Sequence, residues 1–471
     1  MTPQTRKQLN ELHIGLIKIS QAWAMKKPYD KDRATELRHE AALINHAHYV
    51  ENIPAYRRLS EEADLLHVAD VDLIKKELMS TDDIFKSYDQ TWLDDHDYEK
   101  MNAWIGSIFH DRININTAGV RTIDQWVDRL TESGITPVYS SGTTGRFSFI
   151  PRCEMSWKLF TTAPVSYSAP VWADLGVIPL YQKVLMGPLL KLLHPDTFSM
   201  LLKKRGLPGF AGVFMNFRKG NMGIQLVGQE LSHLFRKTCF LYDTDLSASA
   251  IRIISRGIKN DADLKILESF QKETIEKKDE NYMKLIDFMK RATLAGEKVF
   301  LFGAPYQLKE LSQVMIRENV QIPLKKKSCV FFGGGWKSFE GEKIERHELV
   351  EMVSDRLNVP DELIVEGYSM TEVNGLMVRC HHGRFHIPPV IEPVILDEAL
   401  EPQEGCDLKG PFGFIDPFAV SYPGFIISGD NVRMRDEICP CGMHGPALTE
   451  VGRAQGREIK GCGGIMASVQ A

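Results

Sequence analysis

The sequence predicts an α/β fold with parallel strands flanked by helices. Three observations carry this prediction. Short apolar runs recur between residues 298 and 369, each ends in a glycine turn, and the first two are followed by stretches with helical spacing. The first run is Lys298 to Phe302, closed by Gly303-Ala304-Pro305 and followed by a helix over Leu308 to Arg317. The second is Cys329 to Phe332, closed by Gly333-Gly334-Gly335 and followed by a helix over about 343 to 357. The third is Leu363 to Glu366, closed by Gly367-Tyr368-Ser369. Strand, glycine turn and helix in repetition build a parallel sheet covered by helices. Ligands of such sheets lie beyond the carboxyl ends of the strands, where these glycine turns fall.

Upstream, residues 1 to about 130 read mostly as helices, with charged faces at Asp30 to His39 and Ser60 to Glu77. The segment 260–290 is highly charged with helical spacing and reads as a solvated helix. Between them, Val138 to Pro151 changes to a small, hydroxyl-rich and glycine-rich turn.

Bulk composition narrows the function. The chain has 471 residues, 43% hydrophobic and 25% charged, the balance of a globular protein with more than one sub-part. A net charge of −5 argues against a nucleic-acid or anionic-membrane coat. The first residues read as an amphipathic helix rather than an export signal, and no stretch reaches the roughly 18 apolar residues that span a bilayer. A cytoplasmic enzyme without a membrane span is expected. Paired disulfides are the poorer reading of its eight cysteines.

Five motifs carry chemistry. Ser140-Ser141-Gly142-Thr143-Thr144-Gly145 combines glycine freedom with hydroxyl donors, which suits a concave anion site. Tyr368-Ser369-Met370-Thr371-Glu372 follows a strand and offers a stacking face, a phosphate donor and a hard oxygen ligand for magnesium. Ser428-Gly429-Asp430 reads as a carboxylate after a tight turn, suited to two ribose hydroxyls. Gly452-Arg453 opens a basic glycine-rich stretch that contains Cys462. That thiol is flanked by Lys460 and glycines, a setting that favours an accessible thiolate. Finally, Cys380, His386, Cys439 and Cys441 supply the ligand types of a closed tetrahedral zinc site, with His381 and His382 as competitors for the histidine position.

In order and spacing, residues 138 to 464 resemble the adenylate-forming superfamily of acyl-CoA synthetases and adenylation domains. The resemblance implies that residues 140–145 hold ATP phosphates, that Gly333, Gly334, Gly335 and Tyr368 flank adenine, and that Thr371 touches the α-phosphate. It also implies that Glu372 binds magnesium, Asp430 holds the ribose, and Arg453 lies near an inter-domain hinge. Tyr49 to Arg57 is similar to the early helix signature of phenylacetate-CoA ligases. Gly334-Gly335-Trp336-Lys337, Phe385-His386-Ile387-Pro388-Pro389 and Gly456 to Cys462 resemble the acyl-protein synthetase family of bacterial bioluminescence. Those enzymes make a fatty acyl-adenylate and pass the acyl group to a cysteine near their own C-terminus.

The resemblance divides the chain into a helical part over 1–130, an adenylate-forming core over 131–450 and a short remnant over 451–471. Adenylation enzymes carry a C-terminal domain with a catalytic lysine after the hinge. Here seven residues follow Gly464, so that domain reads as truncated. The phosphate loop also lacks the usual Pro-Lys, which leaves Arg146 or Arg152 as substitutes, and Lys337 as a cation for the carboxylate. The expected function is ATP- and Mg²⁺-dependent activation of a carboxylic, fatty acid to acyl-AMP. Transfer to Cys462 and then to an acyl-accepting reductase or carrier protein would follow. The alternatives are a CoA ligase of the phenylacetate type and an inactive nucleotide-binding scaffold.

Overall fold

A computed structural model describes residues 1–141, 146–174, 206–207, 209–336 and 343–454. The chain divides into two compact units. The first comprises Met1–Tyr139, Phe147–Pro170 and Thr371–Ala471, and the second comprises Ser140–Arg146 and Val171–Met370.

The first unit opens with helices at Pro3–Ala24, Lys31–Asn52, Pro54–Glu62 and Val71–Glu77. Each start is written in the sequence. The Thr2, Asp30 and Asp70 side chains accept from the first-turn N–H groups, and Pro3 and Pro54 sit where a missing N–H costs nothing. The charged stretch 60–77 is therefore broken into two helices. Leu9, Leu12, Leu16 and Trp23 of the first helix are buried, and they make it one wall of the unit's core. Tyr49 and Tyr56 are fully buried, and the Tyr49 hydroxyl donates to the Ala419 carbonyl. The Tyr49–Arg57 segment thus packs through both tyrosines against Phe425. Strand β1 (Ser80–Thr81) leads into a 3₁₀ turn at Asp82–Lys86. Strands β2 (Thr136–Ser141) and β3 (Phe147–Arg152) form a two-stranded sheet.

The second unit holds β4 (Phe210–Lys219), β5 (Lys237–Asp245), β6 (Lys298–Gly303), β7 (Cys329–Gly333) and β8 (Ile364–Tyr368). They are all parallel, in the order β5-β4-β6-β7-β8. Both the three strands read from the sequence and the helices at Pro305–Arg317 and Arg346–Leu357 are present. The inner strands β4, β6 and β7 are largely buried, the edge strand β5 only at Phe240 and Leu241, and the Phe302 and Phe331 rings stack at 5.9 Å across β6 and β7.

Returning to the first unit, the chain forms β9 (Met377–Arg379), β10 (Phe385–His386), β11 (Glu392–Ile395), β12 (Asp407–Ile415), β13 (Phe425–Asp436) and β14 (Pro446–Arg453). These pair antiparallel in the order β11-β12-β13-β14-β10-β9, and β1 adds to β13 in parallel. The chain is α/β, as the sequence predicts, but the first unit's sheet is predominantly antiparallel. Ser428-Gly429-Asp430 lies inside β13 and not at a tight turn. The strand pairs with β14 from Asp430 onward, its register with β12 shifts between Asn431 and Ile427, and its apolar residues are buried.

Candidate active site

Thr371 and Glu372 begin the segment by which the chain returns to the first unit, and their backbone is gripped residue by residue. The Thr371 carbonyl accepts from Arg152 Nη2 at 2.6 Å, and the Glu372 carbonyl accepts from the Tyr422 hydroxyl at 3.2 Å. Asn374 donates its backbone N–H and its Nδ2 to Asp416 Oδ2 at 2.7 and 2.8 Å, and its Oδ1 accepts from Arg152 Nη1 at 2.5 Å. The Leu376 N–H donates to the Tyr167 hydroxyl at 2.7 Å. Arg152 is 0% exposed, with its guanidinium 4.1 Å from the Phe160 ring centre and 5.0 Å from that of Tyr422. Its charge is therefore committed to holding this loop rather than standing free for phosphate. A loop fixed this way presents its side chains in one geometry before any ligand arrives.

Beside the loop lies a group of ionisable side chains. Thr371 Oγ1 donates to Glu372 Oε2 at 3.0 Å, and Glu372 is 7% exposed. Burial first, and then the neighbouring Asp82 carboxylate, push the Glu372 carboxyl above its ordinary range. Asp82 is raised for the same leading reason. Lys86 Nζ stands 2.9 Å from Asp83 and 3.6 Å from Asp82. Burial alone would lower the Lys86 ammonium, but Asp82, Asp83 and Glu372 outweigh it and hold it above its usual value. The pairing of β1 with β13 matches Thr81 to Ile427, which brings Asp82 to Gly429. A Cβ on Gly429 would lie 3.8 Å from Asp82 Oδ2 and 3.6 Å from Arg453 Nη1. Across β13 and β14, Asp430 is opposite Arg453, with Arg453 Nε 3.6 Å from Asp430 Oδ1. Glu372, Asp82, Lys86, Asp430 and Arg453 thus form one neighbourhood of the first unit. Sequence reading missed Asp82, Lys86 and the grip of Arg152, Asn374, Asp416 and Tyr422. The only local signal is the charge density of Asp82-Asp83-Ile84-Phe85-Lys86.

In the second unit, Gly333 pairs with Gly367, so Gly333, Gly334 and Gly335 stand beside Tyr368 at the carboxyl ends of β7 and β8. A Cβ on Gly333 would meet the Gly367 carbonyl oxygen at 2.9 Å, closer than side chains tolerate. Ser140 falls near the end of β2. Gly142, Thr143, Thr144, Gly145, Lys337 and Cys462, and the side chain of Ser141, lie outside the described residues.

A separate cluster gathers Cys380, His386, Cys439 and Cys441, whose ligand atoms all lie within 4.8 Å of one another. Cys380 Sγ is 3.8 Å from Cys439 Sγ, and Cys441 Sγ is 3.3 Å from His386 Nε2. His381 and His382 are exposed and pack on each other at 4.1 Å between ring centres, outside the cluster.

Comparison with known proteins agrees with this picture. The chain is 25% identical over 199 residues to the long-chain-fatty-acid–luciferin-component ligase of Aliivibrio fischeri, covering 42% of this chain and 52% of that protein. Its counterpart in Vibrio harveyi is 25% identical over 176 residues, covering 37% and 46%. The chain spans about half the length of these curated relatives. In fold it is similar to an open conformation of a 2-hydroxyisobutyryl-CoA ligase in complex with 2-HIB-AMP and CoA. The identity is 14% and the TM-score 0.50, over 91% of this chain and 76% of that one. Among the described residues, no helix is long and apolar enough to cross a membrane. The acyl-protein synthetase (LuxE) family matches residues 228–470, more than half of the chain. The chain therefore belongs to the acyl-protein synthetase (LuxE) family.

Proposed function

We propose that this protein activates a long-chain carboxylic acid with ATP and transfers the acyl group to a thiol. The observation that carries the reading is the braced Thr371–Glu372 loop, set in one neighbourhood with Asp82, Lys86, Asp430 and Arg453. The substrate carboxylate attacks the α-phosphorus of ATP, the bond to the β-phosphate oxygen breaks, and pyrophosphate leaves with acyl-AMP remaining. Thr371 donates to an α-phosphate oxygen, and Asp430 accepts from ribose hydroxyls. Lys86 supplies a local positive charge beside Glu372 and Asp82. Two adjacent carboxyls held above their usual range, Glu372 and Asp82, suit a divalent cation, since its charge relieves their mutual repulsion. Glu372 would hold magnesium, which neutralises charge on the triphosphate when bound. The Cys462 thiolate then attacks the acyl carbonyl, AMP leaves, and a thioester forms for delivery to an acyl-accepting partner such as a reductase.

The test incubates the full chain with ATP, magnesium and a panel of fatty acids, and measures acid-dependent ATP–pyrophosphate exchange and intact mass. Wild type gains one hydroxylamine-sensitive acyl group without CoA. Cys462→Ser keeps exchange and loses the adduct, and Glu372→Ala loses exchange while remaining folded. Acyl-CoA formation without protein acylation would replace the thiol step by CoA ligation. Absence of exchange with every acid would reduce the protein to a nucleotide-binding scaffold.

A further inference from the structure

We infer that Cys380, His386, Cys439 and Cys441 hold one structural zinc ion that clips the β9–β10 turn to the loop between β13 and β14.

The distances are those of a metal cage. Two sulfurs each about 2.3 Å from a tetrahedral ion stand about 3.8 Å apart, and a sulfur and an imidazole nitrogen about 3.6 Å apart. The observed separations are 3.8 Å for Cys380 Sγ to Cys439 Sγ and 3.3 Å for Cys441 Sγ to His386 Nε2. A disulfide would need the sulfurs at about 2.05 Å, and all three cysteines are free.

The backbone is shaped to aim the ligands. The Gly383 N–H donates to the Cys380 carbonyl at 2.9 Å, and the Gly442 N–H to the Cys439 carbonyl at 2.8 Å. Each turn closes on a glycine with positive φ, +79° at Gly383 and +89° at Gly442, where other residues are strained. Two such turns present Cys380 on one side and Cys439 and Cys441 on the other. His386 enters from β10, which pairs with both β9 and β14. It is 3% exposed, and among the described residues its Nδ1 has no partner, so the polar contact they make with the ring is at Nε2 within the cluster. Cys439 and Cys441 are buried as well.

Charge and softness select the ion. Three thiolates and a dication leave one negative charge, and the Arg384 guanidinium, bonded at 2.7 Å to Glu437, carries positive charge beside Cys380 and Cys439. Three sulfurs and one imidazole favour zinc over hard cations. All four positions are filled by side chains, so the ion is structural and no substrate binds it. The clip lies at the hairpin whose far end sets Asp430 opposite Arg453. It thereby secures the register of the strands that carry both residues.

The full chain, purified without chelator, is analysed for metals by mass spectrometry and for coordination by X-ray absorption at the zinc edge. We expect close to one zinc per chain, with three sulfur and one nitrogen neighbours. Cobalt exchanged into the site should give tetrahedral d–d absorption and sulfur-to-cobalt charge transfer. Cys439→Ser and Cys441→Ser should lose the metal and melt at lower temperature, whereas Cys406→Ser, at an exposed cysteine outside the cluster, should keep both. Where a variant fails to fold, the wild-type metal content and absorption spectrum decide alone. Metal-free wild-type protein would overturn the inference, whether Cys380, Cys439 and Cys441 then alkylate as free thiols or a Cys380–Cys439 disulfide appears in its peptides. A zinc ion with oxygen neighbours in place of sulfur would overturn it too.

Discussion

Arg152→Met tests the proposition that a buried cation organises the loop bearing Thr371 and Glu372. Methionine fills much of the arginine volume and keeps the packing against Phe160 and Tyr422, so the change isolates the guanidinium. Two acceptors lose their donor: the Thr371 carbonyl, bonded at 2.6 Å, and Asn374 Oδ1, bonded at 2.5 Å. Hydrogen bonds to charged groups contribute about 1.5–3 kcal/mol each. Asp416 also loses a positive charge that favours its ionised form. Removing one member of a buried charged network costs about 3–5 kcal/mol, and we expect Arg152→Met to fall in that range. Arg152→Lys should lie between, because an ammonium lacks the planar fork that serves both acceptors. Urea denaturation measures the stability, and ATP–pyrophosphate exchange per folded molecule measures positioning. If about 1.4 kcal/mol of the loss is felt in the transition state, exchange falls about tenfold. Arg152→Met within about 0.5 kcal/mol of wild type, the range of an inconsequential surface change, would refute the argument. So would a destabilised variant whose exchange is unaltered.

Two further outcomes follow from the same unit. Burial would raise the Glu392 carboxyl, but His39, Arg38 and Lys75, with Lys75 Nζ at 2.6 Å, outweigh it and hold it at about 2 against 4.5 for the free group. At about 1.4 kcal/mol per pKa unit this is worth about 3 kcal/mol. Because the folded value is depressed, that stability is present above pH 4.5 and lost as pH falls toward 2. Glu392→Gln should therefore melt well below wild type at pH 7, and the gap should close on acidification; a gap independent of pH would contradict the assignment. Asp430→Ala should weaken ATP binding about tenfold to a hundredfold, the equivalent of one charged hydrogen bond, and leave fatty-acid binding unchanged. Calorimetric titration of each ligand checks this, and equal losses for both would remove Asp430 from the ribose role.

The second unit was the more legible in the sequence, and the reason is local. Each strand of a buried parallel sheet is a continuous apolar run, and the turn at its carboxyl end needs glycine, so Val299–Phe302 and Val330–Phe332 announce themselves. The first unit's antiparallel strands are written more faintly. In β13, Val432 and Met434 are buried and alternate with the more exposed Arg433 and Arg435, a period-2 pattern that is visible once sought. Ser428-Gly429-Asp430, directly upstream, looks like a turn because glycine and aspartate are depleted from strands. The segment is instead a strand with an irregularity: the β12–β13 pairing shifts register there, between Asn431 and Ile427, and a Cβ on Gly429 would make only ordinary contacts with Asp82 and Arg453.

The candidate site divides along the same line. Thr371, Glu372, Asp430 and Arg453 stand in recognisable strings, whereas Asp82 and Lys86 reach them only because two residues, Ser80 and Thr81, pair with Ile426 and Ile427. That pairing joins positions 346 apart in sequence, and nothing in either segment specifies it alone. Arg152 shows the opposite failure. Its position after a glycine-rich loop suggests a cation for phosphate, and the sequence around it does not reveal that Phe160 and Tyr422 enclose it. A guanidinium sealed from water must spend its donors on fixed acceptors. Here those acceptors, the Thr371 carbonyl and Asn374 Oδ1, belong to the loop that presents Thr371 and Glu372, so a buried arginine sets the geometry that a ligand would meet.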